Sequence, residues 1–145
     1  NFGAKLYPRV TEVLKVTIYC ATVVTTIGFL IGMFIPEIVS SIFTSDAELI
    51  SIASKGFRVV VFFYPIVGFQ MVASNFFQSI GMASKAIFLS LTRQMLFLLP
   101  ALIILPRFFG AAGVWYSMPF SDLLASLVAL VMLVSQFRKF KRAEE

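Results

Sequence analysis

Residues 111–134 read AAGVWYSMPFSDLLASLVALVMLV, and Asp122 is the only charged side chain among them. At a rise of about 1.5 Å per residue, an α-helix of this length crosses the roughly 30 Å hydrocarbon core of a bilayer. Three more segments have the same apolar character, Val16–Phe34, Val59–Ile80 and Ala86–Leu105, and Arg93 is the only charge within them. A water-soluble domain would need polar helix faces, which these segments lack. The sequence therefore predicts an all-α integral membrane bundle of four transmembrane helices.

The composition of the 145 residues agrees with one compact membrane unit. The chain is 59% hydrophobic and 13% charged, with a mean hydropathy of +0.95. Its net charge of +5 does not indicate a nucleic-acid partner, because the basic residues lie between and beyond the apolar spans, as membrane topology requires. There is no histidine, and the lone Cys20 cannot form an internal disulfide. Without an acidic pair or metal-ligand spacing, we expect no enzyme activity, no bound metal and no cofactor.

The distribution of positive charge predicts the orientation. Eight of the 12 lysines and arginines lie before the first span, between the second and third, or after the fourth. Only three lie in the other two connections. The positive-inside rule therefore predicts a multi-pass protein of the inner (plasma) membrane with both termini cytoplasmic. Trp115 and Tyr116 then fall near the outer end of the fourth span, where an aromatic belt is expected.

The connections between the spans contain start and stop signals for helices. Pro36 is expected to end the first helix. Ser45, with Glu48 three residues later, predicts an N-cap from which the second helix runs inward to its span. The turns at residues 81–84 and 106–110 are short, so the last three spans should pack as antiparallel neighbours.

Proline and glycine add two expectations about the spans. Pro65, Pro100 and Pro119 each lie within one span and predict a local bend, because each removes a backbone hydrogen bond. Gly28 and Gly32 form a GxxxG pattern, which predicts close helix packing within the bundle.

Polar side chains form a stripe on the second span. Gln70, Ser74 and Gln78 follow one another at intervals of four residues, and Asn75 widens the stripe. Amides lose hydrogen bonds when they face lipid, so the stripe must face other helices or water. It can serve as interhelical hydrogen bonding or as the wall of a substrate cavity. Three amides exceed what packing usually needs, so we favour a substrate-binding role for these four residues.

Charged and amide groups also lie within the third and fourth spans. Arg93, followed by Gln94, could extend to the headgroups or turn into the bundle. A carboxylate at the depth of Asp122 costs about 2.5–3.5 kcal/mol on insertion scales, so it needs a partner or a role. We expect a buried polar contact with Arg93 or Gln94 that stabilises the bundle. The alternative is direct coupling to a proton or cation.

Four strings in the same order as in this chain resemble the last four helices of multidrug and toxic compound extrusion (MATE) transporters. They are Asn1–Lys5 with Arg9-Val10, Phe76–Gly81 with Ala86, Arg93-Gln94 with Pro100, and Gly113-Val114-Trp115 with Pro119 and Asp122. The family's fold is twelve helices in two lobes around a central cavity. The resemblance therefore implies that residues 1–145 are the last four helices, a fragment that makes up most of the C-terminal lobe.

The resemblance also implies a function and partners. Such transporters export cationic amphipathic drugs in exchange for Na⁺ or H⁺. The expected partners are membrane lipid, drug-like molecules and the missing N-terminal helices of the same chain, which should exist because Asn1 is not an initiator residue. The chain departs from the family in one respect. Members that couple through this lobe use carboxylates on the seventh and tenth helices, and the second span here has no acidic residue.

Two other functions compete with drug efflux. A lipid-linked saccharide flippase of the same superfamily would share the two-lobed architecture, but its cavity usually contains more basic residues than the single Arg93. A non-transporting membrane scaffold would not need a carboxylate at Asp122. Multidrug efflux is therefore the preferred interpretation of the sequence.

Overall fold

The computed structural model describes residues 1–144, with the side chains of residues 1–142, and the described part contains no strand. Its helices are α1 Tyr7–Phe34, α2 Pro36–Ser41, α3 Ala47–Val60, α4 Tyr64–Ser79, α5 Ala83–Leu91, α6 Leu99–Phe109 and α7 Ala111–Glu144. A 3₁₀ turn, Val61–Phe63, joins α3 to α4, and a π-helical segment, Thr92–Leu98, joins α5 to α6. The all-α prediction is confirmed.

These elements form four long rods. The first span is α1, the second is α3 with α4, the third is α5 with α6, and the fourth is α7. Each rod is long and apolar enough to cross a membrane. The predicted spans fall within these rods except for Ile80, which lies one residue beyond the end of α4. The second helix does extend well before its apolar stretch, because it begins at Ala47.

Helix α4 lies at the centre of the bundle, where it packs against α1, α5 and α7. Ala73 and Phe77 on α4 are fully buried, as is Ala129 on α7. The core continues to Leu14 on α1 and Leu89 on α5. Most of the remaining large apolar side chains are exposed, as expected for helices that face lipid or further protein.

The two ends of the bundle are held by different contacts. At one end the ring of Tyr7 stacks on that of Phe140, with centroids 4.9 Å apart, and Lys85 Nζ donates to Gln136 Oε1 at 2.7 Å. At the other end Arg58 Nε donates to the carbonyl of Met33 at 3.3 Å. The start of the chain, the α4–α5 turn and the end of α7 therefore lie together. This grouping is the one that the charge distribution requires.

Two local expectations are wrong. Asp46, not Ser45, caps α3: its Oδ1 accepts from the backbone N–H groups of Glu48 at 2.9 Å and Leu49 at 3.3 Å. A carboxylate is at least as good a cap as a hydroxyl, and it also favours the positive end of the helix dipole. The outer turn is Gly110 alone, at φ 60°, because α6 tolerates Pro106 and continues to Phe109.

The prolines and the glycine pair have distinct effects. Pro65 follows the 3₁₀ turn and Pro100 follows the π-helical segment, whereas α7 continues without interruption through Pro119. A Cβ on Gly32 would lie 2.7 Å from Cγ1 of Val61, so this glycine permits close contact between the first and second spans.

We predict that the end of the bundle containing Ser84 is cytoplasmic and the end containing Ala47 is external. Both residues are exposed, so each position should react when it carries a cysteine and is reachable from solvent. In intact cells, a membrane-impermeant maleimide should label Ala47→Cys and spare Ser84→Cys in a cysteine-free background. Permeabilised cells provide the control, in which both should react. The reverse pattern in intact cells would invert the topology.

Candidate functional site

Helix α4 and the third span enclose a polar cleft with a volume of about 240 Å³. The cleft is lined by Gln70, Met71, Ser74 and Asn75 of the second span and by Ser90, Arg93 and Gln94 of the third. Six of these seven side chains are polar, although they lie within segments that are otherwise strongly apolar. The structure thus brings three of the four predicted substrate-binding residues together with the intramembrane Arg93 and Gln94.

The α4 wall offers hydrogen-bonding groups at two levels. The Ser74 hydroxyl donates to the carbonyl of Ala86 at 3.3 Å and lies 3.2 Å from the hydroxyl of Ser90, which joins the two walls. Gln70 is buried, and its Oε1 has no hydrogen-bond partner among the described residues. A buried acceptor without a partner costs about 1–3 kcal/mol. A donor that enters the cleft, from water or from a substrate, would therefore stabilise this side chain.

The Arg93 side chain turns into the bundle and joins the third span to α7. Its Nε donates to Oδ1 of Asp122 at 2.8 Å. Only 5% of the Asp122 side chain is exposed, against 33% for Arg93, which also borders the cleft. The contact that the sequence left open is therefore made by Arg93 and not by Gln94. It cancels both charges within the bundle, so that neither is left bare among apolar groups.

The π-helical segment positions Arg93 and Gln94. Within it the N–H of Leu99 bonds to the carbonyl of Gln94, five residues earlier. Pro100, immediately after this bond, has no N–H to offer the preceding turn. A π-helical turn accommodates an extra residue and so changes the direction of the side chains it carries. Such turns frequently occur at functional sites in helices.

Gln78 and Asn75 occupy different places from Gln70. Gln78 is exposed and lies outside the lining of the cleft, nearer the α4–α5 turn. Asn75 is exposed and lines both the polar cleft and a second groove of about 310 Å³ between α1 and α4. That groove is mainly apolar, and Leu14 and Phe76 contribute to it.

Sequence reasoning missed two features of the site. Ser90 completes the wall of the third span, and its position three residues before Arg93 and four before Gln94 was a signal that all three share a helix face. The second feature is a row of small buried residues at every fourth position of α7. They are Gly113, Ser117, Ser121, Ala125 and Ala129. This row lets α7 approach its neighbours closely and so brings Asp122 within reach of Arg93.

Comparison with known proteins shows similarity to one protein family and to a solved structure. The model of the family described as MatE matches residues 1–104. A solved structure described as protein A is 35% identical to this chain and superposes with a TM-score of 0.85, over 93% of this chain and 30% of its own. The present chain therefore spans less than a third of the length of that solved protein. No curated protein matches the chain.

We predict that the stability of the bundle depends on the charge balance between Arg93 and Asp122. Removing one partner of a buried ion pair costs about 3–5 kcal/mol, and the partial exposure of Arg93 places the expected loss for Asp122→Ala at or below about 3 kcal/mol. Asp122→Asn should lose less, because its amide oxygen still accepts from Arg93. The double variant Arg93→Met/Asp122→Leu should recover much of the loss, because no charge is left without a partner.

The measurement is the fraction of full-length protein that stays monodisperse in detergent after heating. Arg107→Met is the matched control, since it removes an arginine near the end of α6 that forms no salt bridge among the described side chains. An Asp122→Ala variant as stable as this control would contradict a structural role. If Asp122→Asn is stable but has lost ion-driven transport, Asp122 belongs to ion coupling instead.

Proposed function

This chain belongs to the MatE family, and we propose that it forms part of a secondary-active transporter that exports cationic, amphipathic drug-like compounds in exchange for Na⁺ or H⁺. The proposal concerns a longer protein, to which these four spans contribute one side of a substrate pathway. The observation that carries the proposal is the polar cleft between α4 and the third span.

The chemistry of the cleft suits a cationic ligand of variable shape. Its hydrogen-bonding groups are mainly neutral amides and hydroxyls, which can donate or accept and so bind different ligands in different orientations. Met71 adds a flexible apolar surface, a residue type common at promiscuous binding sites. The cation of Arg93 is compensated by Asp122 at 2.8 Å, which reduces its repulsion of a positively charged ligand.

The same compensation weighs against a flippase for lipid-linked saccharides. Such a substrate carries phosphate groups, and binding them calls for basic side chains that are not already engaged. Arg93 is the only basic residue of the cleft, and it is paired. Transport of a cationic dye without transport of a polyprenyl-diphosphate sugar, in the same reconstituted vesicles, would support drug efflux. The opposite result would favour the flippase.

The engagement of Asp122 bears on where the coupling ion binds. Asp122 is the only acidic residue within the four predicted spans, and it is engaged with Arg93. We therefore propose that Na⁺ or H⁺ binds mainly to residues outside this chain, in the N-terminal helices.

We also propose an inner-membrane location with a cytoplasmic C-terminus, on the basis of the charge distribution.

We predict that Gln70→Leu reduces efflux of a cationic dye by about five- to tenfold, which corresponds to the loss of about one hydrogen bond to the ligand. The substitution removes an amide that lines the cleft and leaves a side chain of similar size in a buried position. The matched control is Gln78→Leu, the same change two turns further along α4 at an exposed position outside the cleft. This control should transport nearly as well as wild type, because the proposed site is the cleft and does not include Gln78, for which the sequence alone had favoured a substrate-binding role.

Dye efflux is measured in proteoliposomes that contain equal amounts of folded protein. This comparison separates a binding role from a packing role. If Gln70→Leu lowers only the yield or thermal stability and its transport per molecule is unchanged, the amide serves packing, and the cleft is not the substrate site. Equal losses of dye efflux in Gln70→Leu and Gln78→Leu would mean that transport does not depend specifically on the cleft.

A further inference from the structure

The last turns of α7 carry a further groove, distinct from the polar cleft and from the groove between α1 and α4, with a volume of about 490 Å³. We define this tail groove by its lining residues Leu130, Val131, Val134, Ser135, Arg138, Lys139 and Arg142. We propose that the tail groove is a binding site for one anionic phospholipid, with an acyl chain on its apolar half and the headgroup phosphate on its basic half.

The tail groove faces away from the bundle. On the opposite face of α7, Leu133, Gln136 and Phe140 are buried, and they pack on α4, α5 and the start of the chain. By contrast, 68% of Val131 and 41% of Val134 are exposed. A face so apolar and so exposed in a membrane protein is suited to contact with lipid acyl chains.

The order of chemistry along the tail groove matches that of a phospholipid. Apolar residues come first, from Leu130 to Val134, and the basic residues follow within the next two turns. At about 1.5 Å per residue, the basic side chains begin only about 12 Å beyond Leu130 along the helix axis. A lipid that lies against α7 would place its phosphate at the level of these cations while its chain covers the valines.

Charge complementarity identifies the lipid as anionic. Residues 138–145 carry four basic and two acidic side chains, so this segment keeps a net positive charge next to the apolar half of the groove. Neither of the two salt bridges among the described side chains involves the tail groove. Each basic residue near a membrane surface strengthens its attraction to anionic lipid, and three on one face act on the same headgroup. The predicted cytoplasmic location of this end places it at the leaflet that is usually rich in such lipids.

Lys141 provides an internal contrast. It lies between these cations in sequence but lines a different groove, of about 420 Å³, together with Glu12 and Lys15 of α1. Loss of charge at Lys141 therefore changes the net charge of the same end of the bundle without altering the tail groove.

The test measures lipid retention by native mass spectrometry on the full-length protein, titrated in detergent with phosphatidylglycerol or phosphatidylcholine. Arg138→Gln/Lys139→Gln/Arg142→Gln should weaken phosphatidylglycerol binding by about tenfold or more and leave phosphatidylcholine binding unchanged. The control Lys5→Gln/Lys15→Gln/Lys141→Gln removes the same number of charges and should retain the wild-type affinity. Glycerol phosphate, which has the headgroup chemistry without the chains, should not compete.

A second variant tests the apolar half independently of charge. Val131→Trp fills the groove, keeps every cation and should also reduce phosphatidylglycerol retention. The proposal is overturned if both triple variants lose lipid equally, because binding would then reflect only the overall charge of this end. It is also overturned if the tail-groove triple variant binds lipid normally. If Val131→Trp binds phosphatidylglycerol normally but yields less folded protein, other helices cover this face, and the proposal is again overturned.

Discussion

Hydrocarbon offers no hydrogen bonds to a polar group, and this constraint explains the placement of the polar side chains within the spans. The hydroxyls of Ser117 and Ser121 donate to carbonyls of their own helix. The charge of Asp122 is compensated by Arg93, and the hydroxyl of Ser74 on α4 contacts that of Ser90 on α5. Gln70 and Ser126 are exceptions, because the Gln70 carbonyl oxygen and the Ser126 hydroxyl are buried without a partner among the described residues. Of the two, Gln70 lines the polar cleft. An unsatisfied group in such a setting is costly, so the Gln70 oxygen indicates where a ligand or water would bind in the cleft.

The ion pair depends in turn on how closely α7 packs. A Cβ on Gly113 would clash with the backbone of Leu105, so only glycine permits this approach of α7 to α6. Ser117 and Ser121 continue the row of small residues toward Asp122. With larger residues along this face, the helices would separate and the carboxylate would move away from the third span. The small side chains thus act on the site indirectly, through helix separation rather than through contact with a ligand.

The sequence was sufficient for the architecture because each span has one dominant physical signal, its length of uncharged apolar residues. The ends of the helices were harder to predict, since several weak signals compete there. Ser45 and Asp46 are both good caps, and only the backbone geometry selects Asp46. Pro106 indicated a turn, yet a helix can lose one hydrogen bond and continue when its neighbours pack well.

The site was predicted in part for a related reason. Regular α-helical spacing placed Gln70, Ser74 and Gln78 on one stripe, but a stripe on α4 does not reveal where the facing helix lies. The cleft forms only where Arg93 and Gln94 approach α4, and the π-helical segment that directs them is not visible as a pattern in the residues. The contact between Arg93 and Asp122 also depends on how two helices pack together. The spacing of residues along one helix does not specify this packing.

The contacts between spans indicate which parts of the bundle can move. The first and second spans approach closely at Gly68, where a Cβ would lie 2.8 Å from the hydroxyl oxygen of Thr25. The third and fourth spans are joined by the ion pair and by the close approach at Gly113. Tightly packed interfaces of this kind resist gradual sliding. Helix α4 also packs against α5 and α7, which joins these two pairs of spans. We therefore expect the four spans to move as one rigid body. In the transporter that we propose, exposure of the polar cleft to either side of the membrane would then depend on motion of this body relative to the remaining helices.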